Sequence, residues 1–190
     1  FKTTADGAGS VTEKLRITSG GLVGISTDVP TSHNNTIALH IHDDYGGAGV
    51  PRIRLTNIST GSGSADGFEL SLDGSNLDGI IRQRENADIN FYTNNTQKAT
   101  ITAAGLVGIG TINPARILHL HESSSDTVQL HLTNSTTGVT GNDGVSFALG
   151  SDESLIINQR ESNHIVLKTA DTERVRIDSS GRVSIQGAAT

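Results

Sequence analysis

The sequence predicts an all-β fold, an elongated repeat of short β-hairpins and small sheets, and three observations predict it. Apolar residues alternate with polar ones in short runs, as in Leu15/Ile17, Val23/Ile25, Leu39/Ile41, Ile53/Leu55, Phe68/Leu70/Leu72 and Ile89/Phe91, which is the period of strands with one buried face. No stretch shows helical spacing. The chain repeats itself at long period, so each unit holds several hairpins. Large side chains are scarce: 190 residues, 34% of them hydrophobic, include 4 Phe, 2 Tyr and no Trp beside 22 Gly, too few bulky groups to anchor a thick single core.

The first heading of the repeat, Thr12 to Pro30, aligns without a gap on Thr96 to Pro114, and a third copy opens at Thr172-Glu173-Arg174-Val175-Arg176-Ile177 and runs through Gly181-Arg182-Val183-Ser184-Ile185. The segments between match as well: Leu39-His40-Ile41-His42 with Leu118-His119-Leu120-His121, Leu55-Thr56-Asn57 with Leu132-Thr133-Asn134, and Ile80 to Glu85 with Ile156 to Glu161. The chain therefore reads as a connecting segment (1–11), a first repeat (12–95), a second (96–171) and the opening hairpin of a third (172–190). Ser19-Gly20-Gly21 and Ser179-Ser180-Gly181 supply the positive φ of tight hairpins, and Asp66-Gly67 and Asp143-Gly144 are expected to do the same elsewhere. Gly24, Gly108 and Gly110 either let backbones approach closely or mark bulges.

Composition excludes several functions. With 14 Lys plus Arg against 20 Asp plus Glu the formal charge is −6, and no basic stripe stands ready for phosphates, which disfavours nucleic acid. No apolar run approaches the ~18 residues of a membrane span. The start, Phe1-Lys2-Thr3-Thr4, has no signal-peptide core and no initiator Met, so a piece of a longer protein is expected. The absence of Cys excludes disulfides, thiolate zinc sites and cysteine nucleophiles. The absence of Met as well suits a particle that persists outside a cell.

Strands with one apolar face and so few large residues cannot close a core alone. Three identical chains side by side would give each layer three copies of every Val, Ile and Leu and would cover sheet edges, so a parallel homotrimer is expected.

Two strings carry a family likeness: Glu173-Arg174-Val175-Arg176-Ile177-Asp178-Ser179-Ser180-Gly181-Arg182-Val183, and Gly105-Leu106-Val107-Gly108-Ile109-Gly110-Thr111-Ile112-Asn113-Pro114 followed by Ile117-Leu118-His119-Leu120. They resemble the shaft repeats of bacteriophage tail fibres and tail spikes, of the type found upstream of an intramolecular chaperone domain. The resemblance implies an intertwined β-prism or triple-β-helix-like shaft. It implies an extracellular virion component that joins other tail proteins and supports attachment to the host. No chaperone-protease segment or tail-attachment segment is recognisable in the sequence, so assembly and docking are not assigned to these residues. A fragment, or a product ending where a chaperone was removed, is expected.

The sharpest chemical feature is the pair of His-x-His motifs, His40/His42 and His119/His121. Alternation puts both imidazoles of a motif on one strand face, and in a trimer six nitrogens would surround an octahedral metal if the histidines lay on the axis. That would turn Leu39, Ile41, Leu118 and Leu120 outward, at about 1.5–3 kcal/mol per exposed side chain. The histidines are therefore expected to point away from the axis, with no metal and no cofactor. Gln83-Arg84-Glu85 and Gln159-Arg160-Glu161 recur in register, which suits an Arg to carboxylate bond repeated in every layer better than a duplicated catalytic acid. Asp43-Asp44, replaced by Glu122-Ser123 in the second unit, and Asp73 with Asp78 read as solvated turn acids. Glycan cleavage would need two carboxylates about 5–9.5 Å apart. Gly105 to Gly110 has the order G-x-x-G-x-G with no helix after it and is not a dinucleotide fingerprint. No Ser sits in a nucleophile elbow, and Asn57-Ile58-Ser59 matters as a glycosylation string only in a eukaryotic secretory route. No enzyme activity is expected. Host glycan contacts are placed on the loops that differ between units, Thr31 to Thr36 and Gly46 to Val50. The rival readings are a polysaccharide-degrading tailspike and a cellular surface adhesin or filament subunit.

Overall fold

The computed structural model describes residues 2–3, 12–19, 21–27, 30, 39–43 and 49–186. Among these residues there are eighteen strands and no helix, gathered into several small sheets with no closed barrel. In chain order the strands are β1 (Lys2–Thr3), β2 (Thr12–Glu13), β3 (Leu15–Ile17), β4 (Val23–Ile25), β5 (Leu39–Ile41), β6 (Arg52–Leu55), β7 (Phe68–Leu72), β8 (Gly79–Gln83) and β9 (Ile89–Thr93). There follow β10 (Thr96–Ile101), β11 (Val107–Ile109), β12 (Leu118–Leu120), β13 (Val128–Leu132), β14 (Val145–Leu149), β15 (Leu155–Gln159), β16 (Ile165–Thr169), β17 (Thr172–Ile177) and β18 (Val183–Ile185).

The chain divides into two compact units, Phe1–Asp88 and Ile89–Thr190. The first contains the sheets β1-β2, β3-β4-β5 and β6-β7-β8; the second contains β9-β10-β11-β12, β13-β14-β15 and β16-β17-β18. The β9–β10 hairpin spans the point at which the sequence repeat passes into its second copy, at 95/96.

The repeat of the sequence is a repeat of pairing. Both β3-β4-β5 and β10-β11-β12 join an antiparallel pair to a parallel one, with Gly24 and Gly108 at the centre. Hairpin tips recur too. Thr18, Thr102 and Asp178 each accept a backbone N–H from the glycine three residues on, Gly21, Gly105 and Gly181, whose φ values are 81°, 81° and 78°. The side chains of Thr18, Thr102 and Asp178 also accept the N–H four residues on, at 3.0–3.1 Å. A bulge recurs as well: pairing skips Lys98 in β10 and Arg174 in β17, and each freed carbonyl accepts the N–H that follows the next strand, Gly110 at 3.0 Å and Gln186 at 2.9 Å.

Asp66-Gly67 and Asp143-Gly144 depart from expectation. Both glycines have positive φ, 88° and 73°, but neither forms a hairpin tip. They lead into β7 and β14 at the end of long connections, and a side chain at Gly67 or Gly144 would run into the carbonyl of Leu55 or Leu132. The close approach expected at Gly24 and Gly108 is made within the chain. A Cβ at Gly24 would lie 2.9 Å from Pro30 Cβ, and one at Gly108 would lie 2.6 Å from the Thr111 carbonyl oxygen, because the segment after each strand folds back over it.

The alternation of the strands is present, but it closes the sheets in the opposite sense to a lone domain. The largest fully buried side chains among the described residues are polar: Glu69, Thr100 and Ser146 are 0–1% exposed, whereas of the aliphatic side chains other than proline only the small Ala148 is buried. The expected buried apolar face is left open to solvent in the single chain.

Candidate functional site

Strand register defines the two faces of each sheet. In β13-β14-β15 the rows Val128–Leu149–Leu155, Leu130–Phe147–Ile157 and Leu132–Val145–Gln159 share one face, eight apolar residues of nine. The middle row is 47–49% exposed. The other face carries Gln129–Ala148–Ile156 and His131–Ser146–Asn158. The same division holds in β6-β7-β8, where Ile53–Leu70–Ile81 and Leu55–Phe68–Gln83 oppose Arg54–Glu69–Arg82. In β10-β11-β12, Ile101–Val107–Leu118 and Ala99–Ile109–Leu120 oppose Thr100–Gly108–His119.

Connecting segments cover the polar faces. Arg54 Nη1 donates to the Gly63 carbonyl at 3.0 Å and His131 Nε2 donates to the Asp143 carbonyl at 2.6 Å, drawing each long connection onto its own sheet. The turn cores of these connections match: Asn57 Oδ1 accepts the N–H groups of Ser59 and Thr60, and Asn134 Oδ1 those of Thr136 and Thr137, at 2.9–3.0 Å. In the four-stranded sheet, the Thr111 backbone lies over Gly108, and Pro114 in the same connection is buried. In these three sheets a connecting segment thus lies against one face, and the other presents chiefly Ile, Leu, Val and Phe.

The histidines lie where alternation puts them, on the face opposite Leu39/Ile41 and Leu118/Leu120. Ring centroids stand 5.9 Å apart for His40/His42 and 6.1 Å for His119/His121, edge to face. His119 Nδ1 accepts the Ala115 N–H at 3.2 Å. No group of three or more His, Asp or Glu with metal-binding spacing exists among the described residues.

The Gln-Arg-Glu motifs are backbone clamps. Gln83 and Gln159 accept the N–H of Glu85 and Glu161 at 3.2 and 3.1 Å, and those glutamates accept the N–H of Gly67 and Gly144 at 2.8 and 2.9 Å. The Arg to carboxylate bond forms in the first unit, within one chain and with an acid the motif does not contain. Glu69 Oε2 accepts Arg84 Nη2 at 3.1 Å, Arg84 Nε at 3.4 Å and Arg52 Nη1 at 3.3 Å; Glu69 Oε1 accepts the Ser71 hydroxyl at 2.9 Å and lies 3.7 Å from Arg82 Nη1. Burial pushes this carboxyl up, but the Ser71 hydrogen bond and the Arg84 and Arg52 charges outweigh it and hold the group below its ordinary value.

Asp73 closes its own turn, with Oδ1 accepting the Ser75 and Asn76 N–H groups at 2.8 Å, and its backbone N–H donates to the Asp78 carbonyl at 2.8 Å. The Asn76 and Ser75 N–H groups hold the Asp73 carboxyl below its usual range. Asp43 accepts the Val50 N–H at 3.1 Å, and Glu122 accepts the Ser124 N–H at 3.2 Å. Asp44, the Thr31 to Thr36 loop and residues 46–48 lie outside the described residues. A cleft of about 290 Å³ in the second unit opens between Leu132, Val145, Gln159 and the Asn134 turn. Phe68 takes the place of Val145 in the first unit's sheet.

Glu69 escaped the sequence reading, although a signal was present. Phe68-Glu69-Leu70-Ser71-Leu72 places an acid on the polar side of a strand whose neighbours carry Arg52-x-Arg54 and Arg82-x-Arg84. No protein-family model matches the chain, and no curated protein shows significant similarity to it.

Proposed function

We propose that this chain is a structural and adhesive component of a virion: a segment of a phage tail-fibre shaft, built as a parallel homotrimer and supporting host attachment. The observation that carries the reading is the bare apolar face of every three- and four-stranded sheet. Leu130, Phe147 and Ile157 form a continuous row across one sheet and stay about half exposed, whereas on the face behind them Ser146 and Ala148 are buried. Such a row stabilises a fold only when other apolar surface meets it. Identical chains in register would bring three copies of the same row together in each layer. The exposed side chains and the repeated register support this arrangement, and the family likeness of the Gly-Leu-Val-Gly-Ile-Gly and Glu-Arg-Val-Arg-Ile strings supplies its biological setting. No reaction is assigned, since the acids with resolved geometry serve turns, backbone clamps and ion pairs.

Light scattering on the purified chain tests the proposal. A trimer of the 19.8 kDa chain has a mass of about 59 kDa. A folded, protease-resistant species of 19.8 kDa at micromolar concentration would remove the physical basis of the reading.

A further inference from the structure

Sheets β6-β7-β8 and β13-β14-β15 share one pattern of pairing, yet their polar faces hold different chemistry. Arg84 N donates to the Gly67 carbonyl at 3.1 Å, and Arg160 N donates to the Gly144 carbonyl at 3.0 Å, so the two arginines enter their sheets at the same place. Arg84 is answered by the Glu69 carboxylate. In the second unit the residue at the position of Glu69 is Ser146, 1% exposed, and Asn158 stands where the first unit has Arg82. The Nε of Arg160 is buried and finds no acceptor among the described residues. A buried guanidinium N–H without an acceptor is costly, and a solute that binds there stabilises the folded chain.

We propose that the second unit binds a small monovalent anion, the size of chloride or formate, between Arg160 Nε and the Ser146 hydroxyl, where the first unit carries its own carboxylate. Arg160 follows directly on β15, two residues beyond Asn158, the register partner of Ser146, so Arg160 and Ser146 are diagonal neighbours on one face of the sheet. The charge balance fits a single negative charge. Three guanidiniums surround Glu69, but Arg160 is the one arginine on the corresponding face of the second sheet, with Gln129 and Asn158 at the positions of Arg52 and Arg82. The nearest acid in sequence, Glu161, is engaged with the Gly144 N–H at 2.9 Å, and His131 Nε2 is engaged with the Asp143 carbonyl. The near-complete burial of Ser146 excludes bulky anions. This inference does not depend on the virion reading.

The test measures thermal midpoints of the full chain at constant ionic strength in sodium gluconate, chloride and formate, for the native sequence and for Ser146→Glu. The native midpoint is expected to rise by about 2–4 °C on replacing 0.2 M gluconate with chloride or formate. Ser146→Glu supplies the carboxylate itself and should show no rise. Equal native midpoints, or an equal rise in the variant, would overturn the proposal. Crystals of the native chain soaked in bromide give a reading that needs no variant: an anomalous peak beside Arg160 Nε supports the site, and density there without anomalous signal, a water only, refutes it.

Discussion

Arg84 Nη2, directly after β8, lies 3.1 Å from Oε2 of Glu69, a fully buried residue on the neighbouring strand β7. Arg52 and Arg82 approach the same carboxylate, so one acid organises three cations on the polar face of β6-β7-β8. Replacing it with a neutral side chain leaves Arg84, which is 19% exposed, without its counter-charge. Glu69→Gln is expected to lower stability by about 1–3 kcal/mol, and Glu69→Asp by less, measured by urea unfolding.

Acid should weaken the fold in a defined window. Glu69 is held below the ordinary value of 4.5 as described above, and Asp143 and Asp178 are held below 3.8 chiefly by backbone N–H groups of Thr140 and Arg182. Glu173 is lowered by its hydrogen bonds with Arg176. A carboxyl with a depressed folded pKa binds fewer protons folded than unfolded, so its contribution is full above the unfolded value and is lost as pH falls through the folded one. Stability is therefore expected to be level from neutrality down to about pH 5 and to decline below about pH 4.5. Unfolding curves at stepped pH check this, and a maximum near pH 3 would contradict it.

Two glycines with nearly equal φ should respond differently to a methyl group. Gly105 has φ 81° with open space around it, whereas Gly110, φ 77°, sits against the carbonyl of His121. Gly105→Ala pays only the backbone strain, about 1 kcal/mol. Gly110→Ala must also displace a backbone segment and should cost about 3 kcal/mol or more. Thermal midpoints of the two variants provide the comparison.

The apolar faces offer a test of assembly with an internal control. Phe147 and Gln129 belong to the same sheet but to opposite faces. Under the proposed trimer, Phe147→Asp places three charges in a closed layer and should reduce the mass in light scattering toward that of one chain. Gln129→Asp should leave the mass unchanged. Equal behaviour of the two variants would argue against association through this face.

Much of the local structure was legible. Alternation marked β3, β4, β7, β9 and their counterparts, and Gly21 and Gly181 took the positive φ expected of them. The tips between β9 and β10 and between β16 and β17 carried a weaker signal. Asn94 and Asn95, and then Ala170 and Asp171, adopt paired positive φ values of 47–57° without any glycine. That is the geometry a two-residue hairpin demands, and the pairing of the flanking strands imposes it on Ala170. Asp66-Gly67 and Asp143-Gly144 misled in the opposite direction, because positive φ also serves where a chain passes close to a carbonyl. Of the candidate site residues, the histidines and the Gln-Arg-Glu motifs stood out by repetition. Glu69 and Ser146 did not, since they differ between repeats.

By itself the sequence determined that this protein is built of short strands, that its pattern recurs, and that each strand has an apolar and a polar side, because side chains alternate wherever a backbone is extended. Only the tertiary structure decided which side each sheet would close. Alternation treats the two faces alike; the choice depends on where the connections return, through contacts such as Arg54 with Gly63 and His131 with Asp143, between groups nine to twelve residues apart. Those contacts join polar groups, so the connections fold back onto the polar faces and the hydrocarbon is left facing outward.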